Sequence, residues 1–110
     1  MAYGEAFAER VREVISLREG WTERKMFGGL GFMLRGNMAC GVTSTSELMV
    51  RIQPEDNDAA LAEPHVREFE MAGKKMGGWL IVERAGLDSD EDLAGWVDAG
   101  ADYAASLPPK

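Results

Sequence analysis

Cysteine and histidine are almost missing from this chain: Cys40 and His65 are the sole examples of each. One cysteine excludes an internal disulfide and any multi-cysteine zinc site, which makes a reducing, cytoplasmic compartment the expectation. One imidazole leaves a metal site to be built from carboxylates around His65, and no spacing in the chain resembles such a set, so no metal or cofactor is expected. Long apolar runs are also lacking. None approaches the ~20 residues that span a bilayer. The opening Met1-Ala2-Tyr3-Gly4-Glu5 has neither the basic nor the apolar block of a signal peptide. Repeats, linkers and low-complexity tracts are absent too, and 110 residues at 45% hydrophobic content are enough for one core, so a single domain over residues 1–110 is expected.

Basic charge is scarce where the chain is most acidic. Residues 1–53 carry seven Lys/Arg against six Asp/Glu, whereas residues 54–110 carry five against thirteen, for a net charge of -7. A polyanion such as DNA or RNA would be repelled by most of this surface, which argues against direct nucleic-acid binding.

What the chain has in abundance is glycine and methionine, concentrated between Lys25 and Val42. Gly36-Asn37 lies between two apolar runs and supplies the positive φ values of a two-residue hairpin turn, with Arg35 and Met38 flanking it. That register sets Leu34 against Ala39, Phe32 against Gly41, Met33 against Cys40 and Gly31 against Val42. Both faces of the hairpin are then largely apolar, as expected of a strand pair covered by helices on one side and by further protein or a partner on the other.

Upstream, Tyr3, Phe7, Val11, Val14 and Ile15 recur at spacings of three and four, which predicts a helix over 2–18 that stops at Gly20. Trp21 is expected to tuck under its end, and a strand then leads to Gly28-Gly29. Downstream, Leu48, Val50 and Ile52 alternate with Met49 and Arg51 in a strand. A guanidinium in that company either lies along the sheet with its head in water or anchors a carboxylate or a ligand anion. Pro54 opens a short helix ending near Pro64. Residues 65–71 read as extended, residues 72–78 as a glycine-bracketed basic loop containing Lys74 and Lys75, and Trp79-Leu80-Ile81-Val82-Glu83 as a strand. Asp88 or Ser89 caps a last helix whose stripe is Leu93, Trp96, Val97, Gly100, Ala104 and Leu107, closed by Pro108-Pro109. The fold class is α+β: an antiparallel sheet of about five strands, with N- and C-terminal helices packed on it and a short middle helix.

No motif for a reaction emerges. The glycines at 28–31 lead into a strand and lack the Gly-Lys-Ser/Thr ending of a phosphate loop. Cys40, inside a strand, behaves as a small core hydrophobe, and no catalytic set is assigned. Six internal methionines either fill the core or line a sheet face that meets a partner or a second copy of the chain.

Lys25-Met26-Phe27-Gly28-Gly29-Leu30-Gly31-Phe32-Met33 and Gly36-Asn37-Met38-Ala39-Cys40-Gly41 resemble the N-terminal domain of the TfoX/Sxy family of competence regulators. Leu48-Met49-Val50-Arg51, Glu63-Pro64-His65, Met76-Gly77-Gly78-Trp79 and Ser106-Leu107-Pro108-Pro109-Lys110 follow in the same order. The resemblance implies a stand-alone N-terminal domain, without the helical C-terminal domain of full-length members, which act as co-regulators beside a cyclic-AMP-responsive activator. It implies a non-enzymatic protein-interaction module with a transcription regulator as partner, and the apolar surface that two main helices cannot cover on both sides of the sheet adds the expectation of a homodimer. Candidate contact residues are Lys25, Arg51, His65, Lys75 and Trp79. The alternative is a ligand-binding protein or enzyme whose pocket includes Arg51 and His65, with Cys40 as a further member.

Overall fold

The computed structural model describes residues 4–26, 28–71 and 73–109, the side chains of Met71 and Met76 excepted. Ala2 and Tyr3 of the first expected helix, Phe27 before the glycine pair, Ala72 of the expected basic loop and the final Lys110 lie outside them.

The helical spacing near the start becomes α1 (Glu5–Ile15), which buries Phe7, Ala8, Val11 and Ile15. It stops earlier than the expected residue 18, because Leu17 has no apolar surface to meet and stands 85% exposed. Gly20, at φ +84, then turns the chain into β1 (Trp21–Met26), where Trp21 packs half-buried against the core. β2 (Gly29–Leu34), β3 (Asn37–Val42) and β4 (Leu48–Arg51) follow as an antiparallel meander. A 3-10 turn at Pro54–Asp56 leads into the short α2 (Asn57–Leu61), and β5 (Val66–Met71) and β6 (Lys74–Val82) form a second hairpin. A further 3-10 turn, Arg84–Leu87, precedes α3 (Asp90–Ser106), whose N-cap is Ser89: its hydroxyl accepts the Asp92 N–H at 3.0 Å.

The sheet has six strands in the order β1-β2-β3-β4-β6-β5, one more than expected. The extra length comes from the segment expected to be a basic loop, since Lys74 and Lys75 pair with Met71 and Glu70 in the β5–β6 hairpin. Glycine and lysine give no alternating signal, and the strand forms there because a partner strand and an opposite charge lie across from it.

The central hairpin also differs from expectation by one residue. Arg35 and Gly36 are the turn residues, at φ 51 and 88, and Asn37 pairs with Leu34 instead of entering the turn. Asn37 is held in the strand because its side chain, 2% exposed, donates to the Pro108 carbonyl at 2.8 Å. Arg35, in turn, accepts a left-handed conformation while its N–H donates to the Gly20 carbonyl at 3.1 Å. The register then shifts between Met33, opposite Met38, and Phe32, opposite Cys40, which leaves Ala39 as the additional residue of a bulge. The expected pairs Leu34–Ala39, Phe32–Gly41, Met33–Cys40 and Gly31–Val42 are therefore replaced. The cause is visible at α3. A Cβ built on Gly100 would lie 2.2 Å from the Ala39 carbonyl oxygen, so the bulged backbone and the helix meet where no side chain intervenes.

All three helices pack on one face. Successive cross-strand pairs place Glu23, Phe32, Cys40, Val50, Leu80 and Glu68 in one row on that face. Its four inner members are buried, and its charged ends are held by helices. Arg12 of α1 donates to both oxygens of Glu23 at 2.6 and 3.0 Å, and the Asn57 amide of α2 donates to Glu68 at 2.9 Å. One hydrophobic cluster fills the layer between.

Candidate interaction surface

Among the described residues, no helix lies on the second face of the sheet. Its central row, read through the pairings, is Arg24, Gly31, Gly41, Met49, Ile81 and Arg67. Two adjacent glycines at its middle leave a trough, and methionines lie in it: a Cβ on Gly31 would come within 2.8 Å of the Met26 methyl, and one on Gly41 within 3.0 Å of the Met38 methyl. Missing side chains on one face also let the sheet curl toward it. Met26 of edge strand β1 and Phe69 of the opposite edge strand β5 consequently line the same cavity, of about 280 Å³, together with Met49. An adjoining cavity of about 570 Å³ shares Thr43 and Phe69 with it and is bordered by Glu47, Arg67, Lys75 and Ile81. Curling explains why Ile81 is only 4% exposed on a face without helices.

The polar end of this concave surface is organised by Arg67. Its guanidinium grips Glu47 with two hydrogen bonds, 2.7 and 3.0 Å, and Glu83 with a third at 3.0 Å. Hydrogen bonding from Arg67 holds the Glu47 carboxyl below its ordinary range against the opposing effect of burial, and the same bond raises Arg67.

Arg51 and Trp79 are brought together, as direct cross-strand partners with the guanidinium carbon 5.2 Å from the indole centroid. Tyr103 of α3 is a second ring on the same cation, at 5.4 Å. Lys75 is exposed and borders the larger cavity. Lys25 is exposed on β1 opposite Leu30, in register with the helix-covered face, and shares no patch with Lys75. His65 stands apart at the surface in a left-handed conformation, φ 66, between α2 and β5. Its carbonyl accepts the Glu83 N–H at 2.9 Å, and its Nδ1 lies 4.0 Å from the Glu83 carboxylate.

Arg51 and His65 do not converge. Arg51 is paired with Trp79, whereas Val66, the neighbour of His65, is paired with Val82; three residues of strand separate them, roughly 10 Å. Cys40 is fully buried between Phe32 and Val50, and desolvation pushes its thiol up to about 12. It is no nucleophile at neutral pH and forms no pair with the exposed imidazole. Among the described residues no group of three or more His, Cys, Asp or Glu side chains is placed to hold a metal ion, and no helix is long and apolar enough to cross a membrane.

Several members of this surface escaped sequence reasoning. Arg67 and Phe69 fell in a stretch whose apolar spacing was irregular, and the bulge between Glu68 and Glu70 is the reason. The Gly31–Gly41 pairing becomes readable only once the hairpin register is right. Tyr103 lies off the apolar stripe of α3 and carried no signal of its own.

The fold is thus an antiparallel sheet with its helices on one face and a curled, methionine-lined surface on the other. The family model of the TfoX N-terminal domain matches residues 13–104, and the chain belongs to that family. A search among curated proteins found no match to the chain.

Proposed function

We propose that the chain is a non-enzymatic, cytoplasmic protein-interaction module that pairs with a second copy of itself and serves transcription regulation through a protein partner. The observation that carries this reading is the uncovered face: Met26, Met33, Met38 and Met49 are half-buried there, and among the described residues no helix or strand lies over them. Methionine side chains adapt to irregular partners, and burying such a face on another chain is favourable in proportion to its apolar area. The link to transcription rests on the family alone. The test is solution mass by light scattering, beside a variant, Met49→Glu, that places a charge at the middle of the face. A mass twice 12.0 kDa in the parent and 12.0 kDa in the variant supports the reading. A parent that stays at 12.0 kDa at every concentration contradicts it.

A second reading is favoured by the two adjoining cavities, the larger of which, at about 570 Å³, lies in the range of small-molecule sites. A ligand there would meet Phe69, Met49, Arg67 and Lys75; Arg51 and His65 would not form one pocket around it. Saturable binding of a small molecule by the monomer, lost in Phe69→Ser, separates this reading from the first.

A further inference from the structure

We propose that Met26, Met38 and Met49 form a thioether site for a soft monovalent cation, Cu(I), on the open face of the sheet. The inference goes beyond the contact-surface reading and needs no second copy of the chain. Among the described residues the methionines are sorted by face. The buried cluster between sheet and helices is made of Phe, Leu, Ile, Val, Ala and Cys40, without a methionine, whereas Met26, Met33, Met38 and Met49 stand half-buried on the other side. Side chains used only to fill gaps would be expected in both layers. Three of the four converge on the glycine pair. The position of a Cβ on Gly31 lies 3.0 Å from the Met26 sulfur and 3.4 Å from the Met38 methyl, and that on Gly41 lies 3.0 Å from the same methyl. Met49 is the direct cross-strand partner of Gly41 and lines the cavity of about 280 Å³ with Met26. The ends of Met26 and Met38 are therefore neighbours over a floor of bare backbone, and Met49, one strand away on the same face, is long enough to join them.

The donor type selects the ion. Thioether sulfur is neutral, polarizable and soft, which suits Cu(I) and offers little to Mg²⁺ or Ca²⁺, whose ligands are oxygens. Zn²⁺ takes thiolate, imidazole or carboxylate. The scarcity of cysteine and histidine therefore argues against zinc and leaves thioethers untouched. A thioether also has no proton to lose, so binding does not wait on deprotonation as it does at a thiol or an imidazole. Three rotatable bonds in each side chain let the sulfurs turn toward an ion while the strands stay in place. Cys40 is a softer donor, but it is fully buried on the opposite face and desolvation keeps its thiol protonated. Of the two arginines at the ends of the central row, Arg67 is outweighed by Glu47 and Glu83, and Arg24 is exposed to screening solvent. The net charge of -7 favours a cation in the middle.

The test is an NMR titration of the intact chain, labelled at its methionine methyls, with Ag(I) as an air-stable stand-in and then with Cu(I) under argon. Zn(II) and Mg(II) are the further arms. Saturable movement of the Met26, Met38 and Met49 signals at one ion per chain is expected with Ag(I) and Cu(I) alone, at the same affinity at about pH 5.5 and about pH 7.5. Met38→Leu keeps the apolar volume and loses the sulfur, and should bind about tenfold more weakly, while His65→Gln binds as the parent does. No movement with Ag(I), binding of Ag(I) without Cu(I), movement of every methionine signal at more than one ion per chain, or an unchanged affinity in Met38→Leu would each overturn the proposal. Met26→Leu gives the same comparison should Met38→Leu fail to fold. Solution mass on the same samples keeps the two readings apart: a dimer that ignores both ions defeats this inference and leaves the contact-surface reading standing, and a monomer that binds them does the reverse.

Discussion

Gly95 and Gly100 sit five residues apart in the same helix and are there for opposite reasons. A Cβ at Gly100 would press within 2.2 Å of the Ala39 carbonyl and 3.2 Å of Val50, while one at Gly95 would meet nothing within 4 Å. Gly100→Ala should therefore destabilise the fold by about 2 kcal/mol, through overpacking against backbone that is itself fixed by the bulge. Gly95→Ala should stabilise it by roughly 0.5–1 kcal/mol, through helix propensity alone. Urea unfolding of the two variants reads both, and equal effects would contradict the geometry. Cys40 gives a second check at this scale. Its thiol, pushed up to about 12 by burial, should resist a thiol reagent at neutral pH in the native protein and react fully in denaturant.

At the scale of elements, Arg67 ties three strand ends together: its own β5, Glu47 before β4 and Glu83 after β6. Glu47 has its folded pKa depressed below 4.5. Its contribution to stability is complete above that unfolded value and is lost as pH falls through the lower folded one. Acidification from about pH 5 to about pH 3 should thus lower the melting temperature more in the parent than in Glu47→Gln. Parallel curves would show that the clamp contributes nothing.

The helices were legible because burial on one stripe repeats at three and four, and Ser89 announces the start of α3 by its spacing to Asp92. The strands were legible wherever β-branched and aromatic residues run together, as at Trp79–Val82. The turn after Leu34 was misplaced because Gly36-Asn37 has the right local chemistry, and the requirement that overrides it, a hydrogen bond from Asn37 to Pro108, spans most of the chain. Lys74 and Lys75 gave no strand signal because what makes them a strand is their partner. Arg51 was legible as a charge amid apolar alternation. Its two rings were not, since Tyr103 arrives from the far end of the sequence.

On the scale of the whole molecule, the helices among the described residues all lie on one side of a six-stranded sheet. Among those residues the other side is shielded by its own curl and by methionines lying over paired glycines. That arrangement lowers the exposure of each residue without supplying a second layer, so a protein able to lie over the face gains apolar burial at little conformational cost. The acidic surface elsewhere disfavours indiscriminate contact, and the proposed association is therefore assigned to this face.

Solution mass across a concentration series, measured for the parent and for Met49→Glu, tests this most directly. The expected mass is twice 12.0 kDa for the parent and 12.0 kDa for a folded variant. A folded parent that never exceeds 12.0 kDa, or a variant that associates as well as the parent, would contradict it.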